Sequence, residues 1–243
     1  MTKVTESTNA QLKLSTPVTT AQNTDSYKRW QTTALPDDFA ISQMAISHYS
    51  FDASALKKLT SHSDSDFFWF TLGINDNSQL TIDAVAVTTK KEVVGTVHAS
   101  IIQKTAFEDR KQLAPLQTPH QYTSTLKEHP FAAHHLIDYN AGNQYISRWQ
   151  TALQSSGLEE VVSYKDQHYI KFGIEATTIA HMIAQENVTD IALYLGVNPS
   201  QELTTVFIRK DKENTLLLTS SSKNTADEGV YDVSIPHLSL IHI

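Results

Sequence analysis

The sequence contains no cysteine, and this absence removes several kinds of chemistry at once. Without thiol groups the chain has no disulfide, no zinc site built on thiolates and no cysteine nucleophile. Disulfides are rare in reducing compartments, so a chain without cysteine fits the cytoplasm. We therefore expect a cytoplasmic protein whose function relies on other side chains.

Long apolar runs are also missing. No segment approaches the ~20 consecutive apolar residues of a membrane-spanning helix. Residues 1–23 are rich in Thr, Ser and Gln and lack the apolar segment of a secretory signal. The sequence therefore predicts a soluble chain without a membrane partner, which begins with a disordered tail over residues 1–24.

Basic residues are outnumbered by acidic ones. The formal net charge is -7, and no long basic stretch occurs. Nucleic acid binding depends on Lys and Arg side chains that meet phosphates, so we expect no nucleic acid partner. Hydrophobic residues make up 40% and charged residues 19% of the chain, a balance that is typical of a globular core.

Two stretches of the chain share residue classes at a constant spacing. The stretch that begins at Phe51 aligns with the one that begins at Ile174, at an offset of 123 residues and without a gap. Upstream, Arg29-Trp30 matches Arg148-Trp149 at an offset of 119. We interpret this pattern as a tandem duplication. It divides the chain into a first unit at residues 25–100, a connector at 101–142 and a second unit at 143–237.

The spacing of apolar residues predicts the same elements in each unit. A helix with the Arg-Trp pair is followed by a strand, a short helix and three strands joined by tight turns. We expect Asp25 or Ser26 to cap the first helix and Asn143 to cap its counterpart. The predicted class is α+β, with two similar units that are each a mainly antiparallel four-stranded sheet with two helices on one face. The predicted strands are residues 44–51, 67–74, 80–87 and 93–98 in the first unit, and 168–174, 191–197, 203–210 and 216–220 in the second.

Units of this size bury only about 60% of their extended surface, so we expect the two units to pack together. The connector at 101–142 contains three prolines and the sequence HPFAAHHLIDY. This sequence is compatible with a docked helix and also with an ordered crossover. The oligomeric state is left open.

The second unit carries a recognisable order of motifs. They are Arg148-Trp149, the segments IEATTIAHMI, IALYLGVN and ELTTVFIRK, and VYDVSIP at residues 230–236. This order resembles a family of functionally uncharacterised small α+β proteins of Bacteroidetes, and residues 27–96 resemble it more weakly. Members usually carry Cys near the terminal Pro, where this chain has His237. The resemblance implies a fold and no activity, and a metal or redox role based on that Cys does not transfer.

The last six residues, LSLIHI at 238–243, match the translation of a transposon end that is used in sequencing-library adapters. We interpret them as an assembly scar and expect the native chain to continue past about His237. The alternative is a genuine apolar terminal strand. If the chain is truncated, its function can lie in the missing part.

Eleven histidines raise the question of a metal site. His129, His134 and His135 lie close in sequence to Asp138 and Tyr139, and imidazole and carboxylate groups are zinc ligands. A site needs three or four convergent ligands, whereas adjacent residues of a helix or strand point apart. We therefore predict no metal site and no cofactor, and expect these histidines in loops or facing solvent.

The Arg-Trp pairs, Arg29-Trp30 and Arg148-Trp149, are candidates for a partner-binding surface because Arg and Trp dominate binding hot spots. The structural alternative is that each Trp anchors its helix in the core while Arg extends to the surface. The aromatic run at residues 67–70 also has two interpretations. If alternate rings are exposed, Trp69 belongs to a partner surface, and otherwise the run is a buried strand.

No catalytic residues are predicted. Asp52 and Glu175 stand at matching helix starts, where a carboxylate acts as a cap, and nothing in the sequence brings them together as an acid and a base. The chain has neither a phosphate loop nor a GxSxG nucleophile elbow.

Our first hypothesis for the function is a non-enzymatic protein-interaction or binding module with an unknown protein partner. The alternative is a small-ligand-binding protein or an enzyme with a site at the seam between the two units, where clefts commonly form. Convergent His, Asp or Arg side chains at the seam favour this alternative, whereas a tightly packed apolar seam disfavours it.

Overall fold

The computed structural model of the protein describes residues 20–32, 34–104, 113–117, 135–218, 230–233 and 236–237. The tail at residues 1–19, His129, His134 and the suspected scar at 238–243 lie outside the described residues. The structure combines helices with mainly antiparallel sheets, which confirms the α+β class. Of the helices in the described ranges, none is long and apolar enough to cross a membrane.

The helices of the described ranges are short, and most lie between strands. A 3-10 helix covers Ala114–Gln117. The α-helices are α1 (Thr20–Thr32), α2 (Phe39–Met44), α3 (Ala53–Thr60), α4 (Tyr139–Ala152), α5 (Leu158–Val162) and α6 (Ala176–Ala184).

The strands follow the predicted apolar runs in most places. The predicted strand at 168–174 is divided between two short strands, Gln167–His168 and Lys171–Glu175, which pair with different neighbours. The strands are β1 (Ile46–Asp52), β2 (Ser65–Ile74), β3 (Leu80–Thr88), β4 (Val93–His98), β5 (Ser100–Gln103), β6 (Leu136–Ile137), β7 (Ser163–Tyr164), β8 (Gln167–His168), β9 (Lys171–Glu175), β10 (Asp190–Val197), β11 (Leu203–Lys210), β12 (Leu216–Leu217), β13 (Val230–Val233) and β14 (Pro236–His237).

The described strands form two main sheets and a short hairpin. The large sheet has the order β5-β1-β10-β11-β13-β6, and β12 also pairs with β11. The small sheet has the order β14-β9-β2-β3-β4. The remaining strands, β7 and β8, pair with each other. All of these neighbours run antiparallel.

Each sheet contains a strand from the other half of the chain. In the large sheet β1 pairs with β10, and in the small sheet β9 pairs with β2. The prediction that each unit forms its own four-stranded sheet is therefore wrong. An alternating pattern of apolar residues shows that a strand has a buried face, but it does not identify the strand beside it.

The two longer helices of the N-terminal half do not share one face of a sheet, which corrects that part of the prediction. Helix α1 crosses the outer face of the small sheet, where a Cβ atom on Gly73 would meet the Ser26 hydroxyl at 2.7 Å. Helix α3 packs on the core side instead, where a Cβ atom on Gly95 would lie 2.6 Å from a methyl group of Leu59. The sheet is therefore covered from both sides.

The pairing registers of the two halves repeat. Phe51 lies opposite Ile191, and Ile174 lies opposite Phe68. At the offset of 123, Phe51 corresponds to Ile174 and Phe68 corresponds to Ile191, so the two pairs join equivalent positions of the two halves. The helix crossing repeats as well, because a Cβ atom on Gly196 would lie 3.0 Å from a side-chain carbon of α4.

Two of the predicted helix starts are wrong. Helix α1 begins at Thr20, so Asp25 and Ser26 lie inside it. Helix α4 is capped by Asp138, whose carboxylate accepts a backbone amide of the first turn at 2.8 Å, and Asn143 lies inside the helix. Several Asp, Ser and Asn residues near a helical pattern are suitable caps, and the pattern does not define the first turn.

An apolar core lies between the two sheets. The ring of Phe70 in the small sheet lies 4.7 Å from that of Phe207 in the large sheet and 5.3 Å from that of Phe51 in β1. Trp30 and Trp149 belong to the same core, with exposed fractions of 0% and 3%. The seam between the halves is therefore filled with apolar, largely aromatic side chains.

The side chain of Trp30 contacts residues of the C-terminal half, so replacing it tests how much the core between the sheets contributes to stability. Its indole Nε1 donates to the carbonyl of Tyr169 at 2.6 Å, and its ring stacks on His168 with centroids 4.5 Å apart. We expect Trp30→Ala to lower the free energy of unfolding by about 3–5 kcal/mol in urea denaturation, because it leaves a cavity and an unpaired carbonyl.

The variant Trp30→Phe keeps an aromatic ring but not the donor, so it should lose less stability than Trp30→Ala. A loss under about 1 kcal/mol for Trp30→Ala would contradict the central packing role of this side chain, since it would match an ordinary surface substitution.

Candidate functional site

The outer faces of the two sheets are covered to different extents. In β10 every residue after Asp190 is buried, because α4 and its apolar cluster pack over the large sheet. In β2 buried and half-buried residues alternate from Phe67 to Leu72. Helix α1 covers this outer face near Gly73, and the strand ends beyond it are more accessible. The small sheet therefore offers the more accessible outer surface.

Residues directly opposite one another in a sheet share a face, so the registers define this surface. Trp69 lies opposite Gly173 on one side and Val85 on the other, and Val85 lies opposite Thr96. One row further, Phe67 lies in line with Val93 at the sheet edge. We call the following set the aromatic face: Phe67, Trp69, Val85, Val93, Thr96 and Lys171.

Two aromatic rings of this face approach the backbone of the neighbouring strand closely. The rings of Phe67 and Trp69 are 4.9 Å apart, and a Cβ atom on Gly173 would come within 2.3 Å of the first and 2.7 Å of the second. The Lys171 ammonium lies 3.9 Å from the centroid of the Trp69 ring, a cation–π contact. Burial, together with the charge of Lys91, lowers the pKa of Lys171.

The predicted aromatic run is thus divided between the two faces of the sheet. Phe68 and Phe70 are fully buried in the core, whereas Phe67 and Trp69 are half-buried on the outer side. Of the two interpretations of this run, alternate exposure describes it better than burial on both faces. The structure therefore places Trp69, one of the predicted partner-binding residues, half-buried on an outer surface.

A polar network adjoins the aromatic face under α1. The Asp83 carboxylate is buried and accepts a hydrogen bond from the Tyr27 hydroxyl. The Nδ1 atom of His98 lies 2.7 Å from the other oxygen of Asp83, and the His98 ring is half exposed. Burial and the bond to Asp83 raise the pKa of Tyr27 far above its ordinary value, so this phenol stays protonated.

The large sheet has no such network at the equivalent place. Adding 123 to Asp83 gives Val206, and adding 119 to Tyr27 gives Ile146, both buried and apolar. At the place where a helix crosses the sheet, the fold therefore contains a polar pair in one half and an apolar pair in the other. Because packing alone does not require the Tyr-Asp pair, we regard the network as a feature specific to the small sheet.

The predicted Arg-Trp candidates occupy two different environments. Trp30 and Trp149 are buried, as the structural alternative expects, and their rings are not accessible to a partner. The Arg29 guanidinium is held by the chain itself, since it donates to the Ile74 carbonyl at 2.9 Å and to Asp76 Oδ1 at 2.6 Å. Arg29 also lines a cleft with a volume of about 450 Å³ beside the Tyr27–Asp83–His98 network.

The matched carboxylates, Asp52 and Glu175, lie in different sheets. Asp52 caps α3, where its carboxylate accepts the Ala55 amide at 2.7 Å, and this prediction is confirmed. Glu175 stands at the start of α6 without such a bond, and its carboxylate lies 2.7 Å from Nε2 of His135. The connector histidine is therefore buried against the small sheet rather than facing solvent.

No group of three or more His, Asp or Glu side chains in the described ranges is arranged to hold a metal ion. Of the three histidines considered as metal ligands, His135 pairs with Glu175, while His129 and His134 lie outside these ranges.

A second buried polar pair lies in the large sheet. The Lys210 ammonium is 3.0 Å from Nε2 of His48, and both side chains are almost fully buried. The His48 ring also lies 5.0 Å from the ring of Tyr194. Burial and the charge of Lys210 lower the pKa of His48 to about 3, so this imidazole is neutral and accepts a hydrogen bond from the ammonium group.

Sequence reasoning missed the Tyr27–Asp83–His98 network and the His48–Lys210 pair. A signal for the first was present, because Asp83 interrupts an apolar strand where the aligned strand has Val206. The second had no comparable signal, since His48 and Lys210 lie far apart in the chain and meet only through the exchange of β1.

Comparisons of the chain with protein-family models, with curated proteins and with solved structures find no match. The resemblance to the family of Bacteroidetes proteins therefore stays a prediction. A function has to be inferred from the geometry of the faces and clefts described above.

The contact of the two rings with Gly173 leads to a stability prediction. We expect Gly173→Ala to lower the free energy of unfolding by about 1–3 kcal/mol, because the added methyl group displaces Phe67 and Trp69. The fluorescence emission of Trp69 should shift at the same time. Gly157→Ala is the matched control, because a Cβ atom there meets no atom closer than 3.9 Å. Equal stability of the two variants would contradict the close ring contact.

The His48–Lys210 pair leads to a prediction on pH. In the unfolded chain His48 takes up a proton near pH 6.5, whereas in the folded chain it does so only near pH 3. Its contribution to stability is therefore complete above pH 6.5 and is lost as the pH falls towards 3, by at most about 1.4 kcal/mol per pH unit. Denaturation at several pH values should show a weaker decline for His48→Gln. The same change at the exposed His62 provides the matched control.

Proposed function

We propose that the two halves arose by tandem duplication, and that the protein is a non-enzymatic binding module which holds an extended segment of a protein partner along β4. The repeated offset of 123 in the strand registers supports the duplication. The accessible aromatic face, which ends at β4, supports a partner on the small sheet. For its location we propose the cytoplasm, on the basis of the missing cysteine.

This proposal rests on a difference between two equivalent sheet edges: one is paired with a further strand and, among the described residues, the other is not. In the large sheet β13 lies opposite residues 205–208 of β11. In the small sheet the end of β4 lies opposite residues 83–85 of β3. Residues 83–85 correspond to 206–208 at the offset of 123, so β4 and β13 occupy equivalent positions. The far side of β13 is paired with β6. On the far side of β4 no strand pairs within the described ranges. A strand that pairs there would complete the small sheet as β6 completes the large one.

The backbone of β4 is suited to such a partner. The amide of Ala99 donates to the Ile82 carbonyl at 3.1 Å. Since hydrogen bonds alternate along an antiparallel strand, the amides of Thr96 and His98 point to the other edge. The strand contains neither Lys nor Pro, the residues that commonly protect sheet edges. An extended peptide can therefore add to this edge through main-chain hydrogen bonds.

The side chains around β4 indicate what kind of segment would fit. Val93 is 66% exposed at the edge of the aromatic face, and Val85 lies one strand further in. Apolar side chains at alternate positions of the partner would therefore be buried on this face. The turn before β4 carries exposed Lys90 and Lys91, which favour an acidic residue at the adjoining end of the segment.

The alternative, an enzyme or small-ligand protein with a site at the seam, has less support. The seam contains the rings of Phe51, Phe70 and Phe207, which are fully buried and in contact. A catalytic site there would need convergent polar side chains and room for a substrate. The packed seam therefore favours a module that binds on its outside.

The proposal can be tested with a variant in which the far edge of β4 cannot pair with an added strand. Peptides would be selected from a phage-displayed library of random linear sequences against the intact chain, and their affinities measured by calorimetry. We expect Thr96→Pro to weaken binding about tenfold or more, because proline has no amide to donate and disturbs an added strand. The control Thr96→Ala keeps the amide and should retain the affinity.

Two further measurements make the test decisive. Hydrogen exchange should show that a bound peptide protects the amides of Thr96 and His98. Trp69→Ala, which leaves the edge intact, should weaken peptides that carry apolar side chains over the aromatic face. Selected peptides that bind Thr96→Pro as tightly as the unaltered chain, with both proteins folded by circular dichroism, would contradict the proposal.

A further inference from the structure

Arg148 is the counterpart of Arg29, but the two guanidinium groups have different surroundings. Arg29 donates to the carboxylate of Asp76 at 2.6 Å. Adding 123 to position 76 gives Pro199, so the second half has no carboxylate at the corresponding place in the turn. The second half therefore has an arginine that corresponds to Arg29 but no carboxylate that corresponds to Asp76.

The structure leaves part of this guanidinium unsatisfied. The Nη1 atom of Arg148 is inaccessible to solvent and has no acceptor among the described residues. The guanidinium lies over the ring of Tyr145, whose centroid is 5.8 Å from Cζ. A buried charged donor without an acceptor is costly, because it loses its hydration and gains nothing in return. The other two guanidinium nitrogens are not buried in this way, so an anionic group from outside can approach them.

A cleft of about 650 Å³ opens beside Arg148, between the end of α4, the β7–β8 hairpin and the turn after β10. This volume lies within the range of about 300–1,000 Å³ that is typical of small-molecule sites. Its lining includes one cation, two carboxylates and two phenols: Arg148, Glu160, Glu202, Tyr164 and Tyr169.

The carboxylates of the cleft restrict the ligand class. A simple anion would meet Arg148 but would be repelled by Glu160 and Glu202. Glu202 is held in place by the side-chain amide of Asn198 at 3.1 Å. Its charge, after burial, raises the pKa of Tyr169, which places the phenol and this carboxylate in the same part of the cleft. A ligand that carries a cation as well as an anion matches both kinds of group.

We propose that this cleft binds a free amino acid, whose carboxylate pairs with the guanidinium of Arg148 and whose ammonium group faces Glu160 and Glu202. Guanidinium suits a carboxylate, and the part of the Arg148 side chain that lines the cleft can pair with it. This site lies in the C-terminal half, so it is independent of the partner edge at β4.

The turns that contain Asp76 and Pro199 correspond to each other, so matched substitutions can be compared in the two halves. Ligand-observed NMR on the intact chain would measure the binding of each standard amino acid. We expect Arg148→Gln to weaken binding about tenfold or more, and Arg29→Gln, the same change in the other half, to leave it within about twofold. Pro199→Asp installs the carboxylate that Asp76 provides in the first half. It should therefore fold normally and also weaken binding about tenfold, because Arg148 is then occupied.

Chemical derivatives test the two ends of the ligand separately. The N-acetyl derivative of a bound amino acid lacks the cation and its amide derivative lacks the carboxylate, so both should bind at least about tenfold more weakly. The proposal is overturned if no standard amino acid binds, or if Arg148→Gln retains the affinity of the unaltered chain. Tight binding of the N-acetyl derivative would equally overturn it, because the ammonium group would then have no role.

Discussion

The exchange of β1 and β9 between the two sheets is the constraint on which the rest of the structure depends. Each half of the chain supplies a strand to the sheet of the other half, so neither half contains a complete sheet. A unit of ~70 residues alone buries only about 60% of its extended surface. The exchange instead brings the rings of Phe51, Phe70 and Phe207 into one core. The stability of each half therefore depends on the presence of the other.

This shared core restricts where a function can be located. The space between the sheets is occupied by packed apolar side chains, and the outer face of the large sheet is covered by α4. Side chains that a ligand or partner can reach therefore lie on the outer face of the small sheet and in the clefts beside the helices. In the first of these places the two halves differ, since Tyr27 and Asp83 correspond to Ile146 and Val206. The scaffold accepts both pairs, so the helix crossing itself does not require the polar one.

The sequence predicts the elements of this fold well and their arrangement poorly. Alternating and helical periods locate most helices and strands, and Asp52 is a helix cap as expected. The same periods do not reveal that β1 pairs with β10, because a buried face is compatible with any apolar neighbour. For the candidate site, Trp69 was identified from its aromatic run. The contact of His98 with Asp83 depends on how β4 pairs with β3 under α1, which no local pattern specifies.

Repetition by itself does not separate structural residues from functional ones. Gly73 and Gly196 repeat because a helix crosses each strand too closely for a side chain, and this explanation is complete within the fold. Arg29 and Arg148 repeat as well, but only the first has an ion-pair partner within the described ranges. A buried donor without an acceptor lowers stability, so a fold under selection for stability alone would favour its replacement. A ligand carboxylate that pairs with Arg148, as we propose, would take the place that Asp76 has beside Arg29.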